Sequence, residues 1–145
     1  MMTRGCLLLL CLLAACGYSH IAKTVTTFTG HPSAELTLRV EREIDSVVSG
    51  PDIVEDQTLV IHLRYFKVGK PVTIPSPNAS ASFSVSRFGP NSEGTEFKGS
   101  IIVRKVEGMK ITADLTLDVT AHASSGGYVQ RAKFRGEHVF YRTGM

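Results

Sequence analysis

From residue 22 onward, alternation of apolar and polar residues with period two dominates. That is the pattern of a strand with one face in a core and the other in water. Thr, Val and Ile are plentiful within the runs, and Gly, Pro, Asn and Ser cluster between them. The pattern predicts seven strands, near residues 22–29, 35–44, 58–67, 80–88, 97–106, 110–121 and 128–141. The sixth is the cleanest. Ile111, Ala113, Leu115, Leu117, Val119 and Ala121 make an unbroken apolar row, against Thr112, Asp114, Thr116, Asp118, Thr120 and His122. In the third run Leu59, Ile61, Leu63 and Tyr65 share a face, and in the fourth Ala79, Ala81, Phe83 and Val85 do. The second run is read as a strand on the alternation of Leu36, Leu38 and Val40. Leu36, Val40, Ile44 and Val47 also fit one face of a helix.

Between the sixth and seventh runs, Gly126-Gly127 suits a two-residue turn that needs positive φ. A turn centred there would set Val119 opposite Phe134, Leu117 opposite Gly136 and Leu115 opposite His138 inside, with Asp118 opposite Arg135 outside. A two-residue turn at Glu107-Gly108 would instead put the flanking apolar rows on opposite faces. A bulge or a three-residue turn is therefore expected near Lys105–Met109. The loops are 45–57, 68–79 and 89–96. Together these features predict an all-β domain over 22–145, an antiparallel β-sandwich of about seven strands, with a small β-barrel as the alternative.

The start of the chain follows a different logic. Arg4 precedes an apolar run from Cys6 to Ala15, too short to span a bilayer and of the length of a secretory signal's apolar region. It ends Leu13-Ala14-Ala15-Cys16, which resembles the lipobox of bacterial lipoproteins. The resemblance covers these residues and assigns no family to the rest. It implies a signal peptide over 1–15, cleavage before Cys16, lipid on the Cys16 thiol, and a short tether over 16–21. Multiple acyl chains would give stable anchoring to a membrane. Gly17 rather than Asp after the cysteine resembles an outer-membrane rather than an inner-membrane sorting signal.

Composition narrows the remaining chemistry. The chain has 145 residues, 43% of them hydrophobic and 20% charged, which excludes a disordered or coiled-coil protein. Its net charge of +3 is too small to indicate nucleic acid. The three cysteines are Cys6, Cys11 and Cys16, so a processed domain would hold no disulfide and no thiolate metal site. His20, His31, His62, His122 and His138 show no His-x-His or His-x3-His pairing, so no metal site and no cofactor are expected. His138 falls on an apolar face and is read as a satisfied core or rim residue. No Gly-x-Ser-x-Gly and no phosphate-binding glycine loop is present. Asp114 and Asp118, four apart on a strand, stand about 13 Å apart, too far for a glycosidase pair. Arg131, Lys133 and Arg135 alternate outward on the last strand. They serve either as guards of a sheet edge or as a surface for an anionic partner.

The function this predicts is that of a non-enzymatic envelope lipoprotein. It would bind, scaffold or help assemble an envelope protein or an anionic envelope polymer. The alternatives are a carrier of a small apolar ligand and an envelope hydrolase using His62, His122 or His138 beside an Asp.

Overall fold

The computed structural model describes residues 18–47, 53–86, 92–123 and 129–144. These residues form eight strands, and no helix occurs among them. In chain order they are β1 (Tyr18–Gly30), β2 (Leu36–Val47), β3 (Ile53–Leu63), β4 (Pro71–Ile74), β5 (Ala79–Ser86), β6 (Ser92–Glu107), β7 (Lys110–Ala123) and β8 (Val129–Arg142). The ambiguous run 35–44 is the strand β2. Leu36, Leu38 and Val40 are all buried along it, and β1 and β3 supply its backbone partners. β1 begins at Tyr18, four residues before the expected start.

All eight strands belong to one sheet, in the order β4-β6-β7-β8-β1-β2-β3-β5. The arrangement is thus the barrel-like alternative rather than two facing sheets. Every neighbouring pair is antiparallel except β1 and β8, which run parallel and pair only at Thr27–Tyr141 and Phe28–Arg142. β4 and β5 lie at opposite ends of this order but are consecutive in the chain. The short Pro75–Asn78 connection, with its Ser76–Ala79 bridge, holds them together. A sheet whose two edges are joined this tightly must roll, and it forms a nearly closed barrel.

Of two sequence expectations about the hairpins, the bulge before the β6–β7 turn is present and the β7–β8 register is corrected. The β6–β7 turn is two-residue, Gly108-Met109, and Gly108 takes φ +43°. The parity problem is solved by a bulge at Arg104, between the pairs Val103–Ala113 and Lys105–Thr112. In the β7–β8 hairpin, Leu117 faces Phe134, Leu115 faces Gly136 and Ala113 faces His138. This register is two residues away from that of a turn centred on Gly126-Gly127, and the turn itself lies outside the described residues. A slip of two keeps every side chain on its own face, so the inside–outside pattern cannot tell the two registers apart. The strand β4 falls in a stretch read from the sequence as loop. β3 ends at Leu63, so Tyr65 is not part of its inward row and is 54% exposed.

The interior is a single apolar cluster drawn from every strand. Phe28, Phe134 and Phe140 are its largest members, and Phe83 meets Phe134 edge to face with centroids 6.1 Å apart. Each such side chain contributes about 1.5–3 kcal/mol by leaving water. Gly99, in β6, lies against both β4 and β7, and an added Cβ would stand 1.9 Å from the Thr116 carbonyl oxygen. Only a glycine lets the strands approach this closely.

Candidate functional site

The barrel has two unlike ends. At the near end β1, β3, β6 and β8 begin; at the far end β2, β5 and β7 begin. Towards the near end the inward rows turn polar. Arg42 follows Leu36, Leu38 and Val40 on β2, while Glu55 and Gln57 precede Leu59, Ile61 and Leu63 on β3. All three polar residues are buried. The Arg42 guanidinium lies 3.7 Å from the centroid of the Phe134 ring. It donates from Nη1 to the Lys133 carbonyl (2.9 Å) and from Nη2 to Gln57 Oε1 (2.7 Å). Gln57 Nε2 donates to Glu55 Oε1 (2.9 Å), and Gln130 on β8 donates to the same oxygen. Arg42 Nε is buried with no hydrogen-bond partner. Burial lowers the Arg42 pKa to about 10, still far above neutral, so the group is charged.

This network has a structural role in the β1–β8 seam. Those strands pair at only two positions, so other groups must satisfy the β8 edge. Arg42 serves the Lys133 carbonyl, and Thr26 Oγ1 donates to the Val139 carbonyl at 2.5 Å. The sequence reading missed this network. Its signal was present in the polar residues Arg42 and Gln57, which hold inward parity in otherwise apolar rows.

The basic residues singled out from the sequence lie together on the outer face of β8. Arg131, Lys133 and Arg135 are all exposed, opposite Thr120, Asp118 and Thr116. Arg135 Nη2 is paired with Asp118 Oδ1, and Lys98 of β6 flanks the same aspartate from the other side. One carboxylate therefore sits among three cations, and the stripe is only partly neutralised. Cys16 and Gly17 lie outside the described residues.

The histidines are scattered. His62 Nδ1 lies 3.1 Å from Thr37 Oγ1, and His31 bonds with Ser33 in the turn after β1. His20 stands 3.9 Å from Asp45 on the surface, and His122 is exposed near the end of β7. His138 faces Ala113, not Leu115. It is half-buried, donates from Nδ1 to the Gly136 carbonyl (3.1 Å), and tilts against Phe140, as a rim residue does. Among the described residues no group of three or more His, Cys, Asp or Glu is placed to hold a metal ion.

At the far end, residues 64–78 build a groove of about 430 Å³ against β4. Tyr65, Phe66, Lys67, Lys70, Thr73 and Asn78 line it. The loop is firmly held. Arg64 N donates to the Asn78 carbonyl (2.8 Å), Gly69 N to Val103 (2.8 Å) and Lys70 N to Lys67 (3.0 Å). Gly69 takes φ +80° in the Lys67–Lys70 turn, and Ile74 is buried beneath. The segment carries Arg64, Lys67 and Lys70 and no acidic residue. A second depression of about 400 Å³, outside β1–β3, sets Lys23 among Glu41, Glu43 and Asp56, so carboxylates outnumber cations there.

No family model matches the chain, and neither a curated protein nor a solved structure matches it.

Proposed function

We propose that this chain is a lipid-anchored envelope protein whose β domain is a non-catalytic binding or assembly module. In this reading the peptide 1–15 is removed, Cys16 carries the lipid, and Gly17 directs the protein to the outer rather than the inner membrane. The observation that carries it is the closeness of the lipobox to the fold. β1 opens at Tyr18, directly after Cys16-Gly17. A lipid on Cys16 would therefore hold the near end of the barrel against the bilayer. A 13-residue strand spans about 40 Å along its own axis, so the far-end loops would stand well clear of the surface.

The partner expected of such a module is anionic, either an envelope protein or an envelope polymer. Two basic surfaces favour it, the β8 stripe and the acid-free 64–78 loop. A carrier role fits less well. A small apolar ligand inside the barrel would have to displace the packed rings of Phe83 and Phe134.

Metabolic labelling with palmitate tests the anchor. The wild type should incorporate label and partition with membranes, and Cys16→Ser should do neither. Equal labelling of the variant would sink the lipobox reading. Crosslinking in intact cells tests the module. Enrichment of one anionic envelope component over background supports it. Turnover of an envelope substrate with no captured partner would point to the hydrolase alternative.

A further inference from the structure

We infer that the far-end groove binds an acidic saccharide, with Tyr65 as the ring platform and Lys67 and Lys70 as the carboxylate partners. This names the partner class for the module proposed above and rests on that reading for its orientation away from the membrane.

The first argument is exposure on a rigid frame. Tyr65 is 54% and Val68 55% exposed, although the segment is pinned at both ends and to β6. Phe66 and Val72 pack against the core and Ile74 is buried, so the loop has its own anchors and does not need Tyr65 for folding. An aromatic held out on an ordered loop offers a large contact area at little entropic cost to a ligand.

The second argument is charge. Lys67 and Lys70 bracket the turn tip, and Arg64 stands at the start of the same acid-free segment. Arg64 Nη1 lies 3.4 Å from the Pro77 carbonyl, whereas Lys67 and Lys70 line the groove itself. Two ammonium groups and an aromatic ring lining one groove favour a ligand that bears carboxylates on an apolar-faced ring.

The third argument is size and lining. A groove of about 430 Å³ lies within the range of small-ligand sites. Thr73 and Asn78 add a hydroxyl and an amide, the groups that read sugar hydroxyls. A sugar ring carrying carboxylate uses all three kinds of lining. A ringless polyanion would leave the aromatic platform idle, and a neutral glycan would leave the lysines unmatched.

The test is a titration of the detergent-solubilised full chain, followed by NMR, with three probes. They are oligogalacturonate, maltohexaose as a neutral ring-bearing control, and polyglutamate as a ringless polyanion. The expected result is saturable shifts within residues 64–78 with oligogalacturonate, weakened by salt. Lys67→Ala with Lys70→Ala, and separately Tyr65→Ala, should each weaken binding about tenfold or more, the loss of one strong contact. All three positions are exposed, so the thermal midpoint should hold and serve as the folding control. Equal binding of polyglutamate, or indifference to Tyr65→Ala, would overturn the saccharide in favour of a charged surface. Shifts outside the groove, or none, would overturn the site. Binding by a chain that takes no palmitate would remove the anchor while leaving the ligand. A labelled chain that does not bind would remove the ligand alone.

Discussion

Arg135 reaches diagonally along the outer face to Asp118, past Lys133, which stands directly opposite that aspartate. Diagonal neighbours on a sheet are within reach of a long side chain, so an ion pair does not by itself report the register. Both partners of this pair are roughly half exposed. A double-mutant cycle on Asp118 and Arg135 should give about 0.2–1 kcal/mol at low salt and less at high salt. The same cycle on Asp118 and Lys133 should give the smaller coupling, because no ion pair joins those two side chains. A larger Lys133 term, read from urea midpoints, would contradict the observed geometry.

Burial on β7 alternates residue by residue, and two neighbours test it. Leu117 is fully buried and Thr116 is exposed. Leu117→Ala should cost about 2–5 kcal/mol in equilibrium unfolding, through lost transfer energy and a cavity against Phe134. Thr116→Ala should cost under about 1 kcal/mol. Equal losses would mean that both faces of the strand are covered.

The alternation made the strands legible because it is local. Leu36, Leu38 and Val40 on β2, and the row from Ile111 to Ala121 on β7, announce their inner face within a few residues. What stayed hidden is non-local. Nothing in the period-two pattern says that β4 pairs with β6 while β5 returns to β3, which is what rolls one sheet into a near-barrel. The register of β7 and β8 was hidden for a related reason, since a slip of two residues preserves every facing. Of the candidate surfaces, the outward row Arg131, Lys133 and Arg135 was legible as a row. Its compensation by Asp118 was foreseen, though through direct opposition rather than a diagonal contact. The 64–78 groove was not legible. Reading Tyr65 as a strand residue concealed that Arg64, Lys67 and Lys70 share one acid-free loop. β3 ends at Leu63, just before the Arg64–Asn78 bond, and so Tyr65 stands outside the core row.

Gly99 tests the closeness of β4, β6 and β7. Its φ of +153° is one that side chains rarely adopt, and a Cβ there would overlap the Thr116 carbonyl. Backbone atoms on an inner strand cannot move aside cheaply. Gly99→Ala should lower stability by more than about 3 kcal/mol, beyond the ordinary range of point substitutions. Gly69→Ala is the comparison. It shares a positive φ but has open space around it, so its loss should be confined to about 1–2 kcal/mol of backbone strain. Thermal unfolding of the two variants separates steric overlap from conformational preference.

The last prediction concerns the buried cation of the near end. Arg42 stacks on Phe134 and bonds to Gln57 and to the Lys133 carbonyl. Arg42→Ala would leave both acceptors unpaired and open a gap beside the ring, so it should cost about 3–5 kcal/mol. Arg42→Met keeps most of the packing volume and should cost less. The comparison also carries a pH signature. Burial lowers the Arg42 pKa from its ordinary value to about 10, so between about pH 10 and that ordinary value the unfolded chain binds the proton that the folded chain has released. Stability from this group therefore rises with pH in that window, and below about pH 10 the cost of burying the charge is fully present. The stability difference between wild type and Arg42→Met should thus be constant from about pH 6 to about pH 9. Above about pH 10 it should move in favour of the wild type. The methionine variant subtracts the lysines and tyrosines that titrate in the same range, because both proteins share them. A difference that stays flat through about pH 11 would mean that water reaches the guanidinium and that the seam between β1 and β8 is open around Arg42.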